Sequence, residues 1–100
     1  MKLHEKVVCA DGFEMSVQAH DGAYCTPRVT GAERYSAVEV GYPSQREELL
    51  MQWCEDAETP TATVYGWVPS QTVTLVIAKH GGMVSGSVPP GVAPLQAEGE

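Results

Sequence analysis

The chain has 100 residues, 43% of them hydrophobic, with a formal charge of −7 and a pI near 4.8. One domain of ordinary size with room for one modest core follows, and the composition clears the boundary for disorder. Six Lys and Arg against 13 Asp and Glu cannot supply the clustered cations that phosphate backbones need, so direct binding to nucleic acid or to an anionic membrane is set aside.

Residues 6–10 and 13–19 read as two strands around Asp11-Gly12, a pair that tolerates the positive φ of a tight hairpin. In the second strand Phe13, Met15, Val17 and Ala19 alternate onto one face. Tyr24-Cys25-Thr26-Pro27-Arg28 is extended, because the residue before proline avoids the helical region. Arg34 to Val40 alternates and is predicted to be a strand. Ser44 as N-cap and Glu47 three residues on form a capping box, which predicts a helix across Pro43 to Asp56. On that helix Leu49, Leu50, Trp53, Cys54 and Ala57 share one arc, and Glu48, Gln52 and Glu55 the other.

Thr61 to Val68 is β-branched and aromatic, a strand that puts Tyr65 and Trp67 on one side. The segment from Pro69 to Gly82 carries Val73, Val76, Ile77 and His80 on one helical face, and Gly81-Gly82 stops it behind Lys79. Residues 72–77 also alternate well enough for a strand; the caps favour the helix. From Met83 the chain is rich in Gly, Pro and Ser, which predicts a domain over 1–88 and a flexible tail over 89–100. The expected fold is α+β, an antiparallel sheet of about four strands with two helices. Strand, Pro-Ser-Gln turn and helix occur twice, at Pro43-Ser44-Gln45 and Pro69-Ser70-Gln71. Leu75 and Ala78 lie off the apolar stripe of the second helix, so that helix is either sandwiched in the core or paired with a second copy in a homodimer, the preferred reading.

Residues 1–8 carry no apolar run of signal-peptide length, and no stretch approaches the ~20 apolar residues of a membrane span. Cys9, Cys25 and Cys54 are an odd number without paired spacing, which predicts reduced thiols in a cytoplasmic protein. Together with His4, His20 and His80 they offer zinc-ligand types, but short paired spacings are missing and no metal site is expected. His80-Gly81-Gly82 lacks the spacing of a phosphate cradle, so no cofactor is expected. Cys25, beside Tyr24 and ahead of Arg28, is the thiol best placed for a nucleophile, yet no catalytic signature surrounds it and a non-enzymatic role is expected.

Glu39, Glu47, Glu48, Glu55, Asp56 and Glu58 are opposed only by Arg46 in their segment. Glu55 and Asp56 near a helix C-terminus oppose its dipole, so stability alone does not select them. Glu47, Glu48, Met51, Gln52 and Glu55 are the candidate partner-binding residues, with a basic protein surface as target. Tyr24, Arg28, Tyr65 and Trp67 are the alternative, a pocket for a small ligand such as a nucleotide.

Phe13 to Ala19, Tyr24 to Arg28, Val38 to Ser44, Val64 to Pro69 and Lys79 to Gly82 together resemble small accessory proteins encoded by bacteriophages and prophages, over roughly residues 5–82. In size and acidity the chain is similar to phage proteins that disable bacterial defences, among them anti-CRISPR proteins. The resemblance implies stoichiometric inhibition of a defence nuclease or other nucleic-acid-binding complex in the bacterial host cytoplasm. A virion or structural component is the further alternative.

Overall fold

The structure, a computed structural model, describes residues 2–98. Strand β1 (Val7–Cys9) turns at Asp11-Gly12 into β2 (Glu14–Gln18). The turn closes by Cys9 N–H donating to Phe13 O at 2.8 Å and Gly12 N–H to Cys9 O at 2.9 Å, with Gly12 at φ 95°. The Asp11 carboxylate accepts from Phe13 N–H at 2.9 Å, which fixes the turn from its own side chain. Strands β3 (Ala37–Gly41), β4 (Val64–Pro69) and β5 (Met83–Ser85) complete an antiparallel sheet in the order β4-β3-β2-β1-β5. The fold is α+β, with five strands where the sequence suggests about four.

Helix α1 (Ser70–Lys79) follows β4 directly. Its buried positions Val73, Val76 and Ile77 join Met15, Val17, Val38, Val40, Leu50, Tyr65 and Val68 in one core. Gly82 N–H donates to Ile77 O at 2.9 Å, so the glycine pair ends the helix as its sequence predicts. Ser70 does not cap with its side chain; its hydroxyl donates to Tyr35 O at 2.6 Å and docks the helix start on the segment ahead of β3.

The predicted helix across Pro43 to Asp56 shrinks to a 3-10 helix, Glu48–Trp53. The reason is tertiary. Ser44 pairs with β2 instead of capping, giving its N–H to Glu14 O at 2.8 Å and taking Glu14 N–H on its hydroxyl at 2.9 Å. Glu47 becomes the cap and accepts Leu49 N–H at 2.9 Å. Cys54 is already extended, bridging to Tyr65, so no room remains for a longer helix.

The tail expectation also changes over 89–98, which packs on the body; 99–100 lie outside the described residues. Tyr35 N–H donates to Pro90 O at 2.9 Å, Met83 N–H to Leu95 O at 2.7 Å, and Ala93 N–H to the Thr74 hydroxyl at 3.0 Å. Val92 is buried in the core. Gly91 has φ 112°, and a Cβ there would lie 2.2 Å from Tyr35 O, so only glycine permits this close approach. Among the described residues no helix is long and apolar enough to cross a membrane.

Candidate functional site

The β3–β4 pairing slips. Val38 faces Val68 and Val40 faces Tyr65, so Gly66 and Trp67 together oppose Glu39 in a β-bulge. Trp67 takes φ 53°, a conformation costing a non-glycine residue about 1–3 kcal/mol. The bulge keeps Tyr65 and Val68 both buried and turns Trp67 outward, 48% exposed. Strict alternation places Tyr65 and Trp67 on one side, and the extra residue separates them.

Trp67 N–H donates to Tyr24 O at 2.9 Å, and Tyr24 N–H donates to the Glu39 carboxylate at 2.8 Å. The two rings stack with centroids 4.9 Å apart and planes 19° apart. The Arg28 guanidinium carbon lies 5.3 Å from the Tyr24 centroid. Gly66 permits the approach, since a Cβ there would sit 3.2 Å from Tyr24 Cβ. Glu55 Oε2 stands 3.5 Å from the same point, and Glu55 N–H donates to Val64 O at 3.0 Å, which binds the carboxylate's segment to the strand. The result is a surface ladder, Trp67–Tyr24–Arg28, with Glu55 alongside. Tyr65 is not part of it; its hydroxyl donates to Pro60 O at 2.6 Å inside the core.

Stacking adds about 0.5–1.5 kcal/mol and an exposed cation–π contact about 0.5–1 kcal/mol. These sums only offset the left-handed backbone, while half of an indole remains in water. Tyr42, at φ 51° and 60% exposed, likewise follows a glycine directly in the other strand–turn unit, immediately before its Pro-Ser-Gln, whereas Val68 separates Trp67 from its own. A Gly-aromatic pair in each copy, Gly41-Tyr42 and Gly66-Trp67, is the signal that strand alternation conceals.

The acidic candidates divide. Glu48, Gln52 and Glu55 are exposed and Met51 is half-buried against the core, but Glu47 is 2% exposed and lies inside. Glu48 pairs with Arg46. Glu47 accepts from Lys79 Nζ at 2.8 Å and meets His80 Nε2 at 2.6 Å, while His80 Nδ1 meets Asp11 at 2.6 Å. The Phe13 ring stacks on His80 at 4.1 Å. Burial pushes the Glu47 carboxyl up, yet the hydrogen bonds from Lys79, Leu49 N–H and His80 outweigh it and hold the group below its usual range. Asp11 is held low by Phe13 N–H first and His80 second. Each ring nitrogen of His80 is occupied by a carboxylate, Nδ1 by Asp11 and Nε2 by Glu47, so neither is turned toward a substrate. The cluster ties the β1–β2 turn, the 3-10 helix and the end of α1 together. Its role is structural.

Cys25 is buried, and its thiol donates toward His20 O at 3.2 Å and Pro27 O at 3.4 Å. Among the described residues no group of three His, Cys, Asp or Glu is arranged to hold a metal ion. Leu75 and Ala78 are exposed on α1. Concavities of about 500 Å³, lined by Ala78, Gly82 and Gln96, and about 430 Å³, lined by Arg34, Ser70 and Gly91, lie away from the ladder. Tyr24, Arg28 and Trp67 line neither concavity. Compared with protein-family models, curated proteins and solved structures, the chain finds no match.

Proposed function

We propose that the protein acts without catalysis, by stoichiometric binding to a protein of basic surface. Trp67 and Tyr24 form the anchor, and Glu48, Gln52 and Glu55 form the acidic flank, with Met51 at its inner edge. The observation that carries this reading is the half-exposed Trp67 held in a left-handed bulge beside Glu55. Trp, Tyr and Arg dominate the energetics of protein interfaces, and all three residue types meet here. Glu47, being buried, supports the flank from within instead of touching the partner. Following the resemblance to phage accessory proteins, the target is a nucleic-acid-binding defence complex in the host cytoplasm, whose cationic groove the acidic face covers.

The test is affinity capture from a bacterial lysate confirmed to contain such complexes, at low and moderate salt. Wild type, Trp67→Ala and the double variant Glu48→Lys/Glu55→Lys are compared, each checked for intact fold. A near-stoichiometric, salt-sensitive partner retained only by wild type is expected, with its nucleic-acid binding falling as the protein is added. Equal capture by all three sinks the proposal. The small-ligand reading keeps Tyr24, Arg28 and Trp67 but loses Tyr65, and a nucleotide that raises the melting temperature would favour it.

A further inference from the structure

We propose that the outer face of Trp67 is a recognition site for an arginine side chain of the partner, completed by the Glu55 carboxylate; this rests on the protein-binding reading above. Trp67 stacks on Tyr24, and nearly half of the residue meets solvent. An indole face is the strongest aromatic acceptor for a cation. The pairing required already exists within the chain, where the Arg28 guanidinium lies over Tyr24 at 5.3 Å. The open indole can take a second guanidinium in the same way.

Glu55 supplies the other half of the site. Its carboxylate stands beside Gly66, the residue before Trp67, and makes no ion pair among the described residues. A guanidinium is planar and presents its N–H groups as a fork, so it can lie on the indole while its edge donates to a carboxylate. An ammonium is a compact, strongly hydrated charge and does not stack, which makes the site selective for arginine over lysine. A nucleobase could also lie on an indole, but its phosphates would meet Glu55 and a chain of charge −7. Of the charged groups around the ladder, Glu39 is engaged by Tyr24 N–H and Arg28 by the Tyr24 ring, which leaves Glu55 for the ligand.

The probes are a short unstructured peptide with two arginines in a Gly-Ser frame, its lysine counterpart and a short single-stranded DNA. The readout is the Trp67 indole N–H signal in 15N-labelled protein, distinguished from Trp53 by the Trp67→Phe variant. The arginine peptide is expected to shift that signal saturably, about fivefold more tightly than the lysine peptide, and Glu55→Gln to remove about the same factor. The DNA is expected to leave it unmoved. Equal response to both peptides, saturation by DNA, or a silent Trp67 signal overturns the proposal. If Trp67 is silent while Trp67→Ala still abolishes partner capture, the arginine site falls and the protein-binding reading stands. If capture is indifferent to Trp67→Ala, the binding reading itself has failed.

Discussion

Replacing Glu47 by Ala tests the placement of this residue inside the molecule. Its carboxylate is bonded to His80 Nε2 at 2.6 Å, Lys79 Nζ at 2.8 Å and Leu49 N–H at 2.9 Å. The Lys79 head is half-exposed, so that pair contributes at most about 1 kcal/mol. The His80 partner is buried, and removing a buried carboxylate from the hydrogen bonds that hold it costs about 3–5 kcal/mol. Against a total stability of about 5–15 kcal/mol this is a severe loss. For a domain of this size it corresponds to a fall of roughly 15–30 °C in melting temperature. Urea unfolding and thermal melts followed by circular dichroism measure it. Glu47→Gln keeps the shape and the Leu49 bond, and a smaller loss is expected. A change below about 1 kcal/mol for Glu47→Ala, the value of a surface residue, would refute the reasoning.

The same cluster sets the acid response. Asp11 and Glu47 are held below the ordinary carboxyl range, so the folded state binds their protons less readily than the unfolded chain. Their stabilisation is complete above that range, about pH 4, and is lost as pH falls through the lower folded-state values. Urea midpoints measured from neutral pH downward should therefore fall in acid for wild type and fall less for Glu47→Gln; parallel curves would contradict this. Gly91→Ala introduces a Cβ against Tyr35 O and is expected to release the 89–98 segment, seen as faster amide exchange at Tyr35 and Ala93. Unchanged protection would show that the close approach is not required. Alkylation followed by mass spectrometry should label the half-buried Cys54 before Cys25, whose thiol is buried against two carbonyls. Rapid loss of free Cys25 in the native protein would reopen a reactive role.

Local chemistry made the β1–β2 hairpin, the Val38/Val40 strand and the stop of α1 at Gly81-Gly82 legible, because each depends on residues adjacent in the chain. The 3-10 helix was not legible. Ser44 and Glu47 have capping-box spacing, but Glu14 takes the first and His80 the second, partners distant in sequence. The packed tail was hidden because Val92 and backbone hydrogen bonds do the docking, and composition weighs neither. Of the candidate site, Tyr24, Arg28 and Trp67 stood out by residue type. Their separation from Tyr65 depends on one extra residue in a strand, and that slip reverses the face of the side chain that follows.

The most direct measurement is partner binding by Trp67→Gly set beside its folding free energy. Glycine accepts φ 53° freely, so relief of strain offsets part of the lost stack and half-burial. A folded protein destabilised by no more than about 2 kcal/mol, with capture of the basic partner abolished, is the expected result. A protein that binds as wild type does, or that unfolds because Trp67 was needed for the core, would contradict the assignment of this bulge to binding.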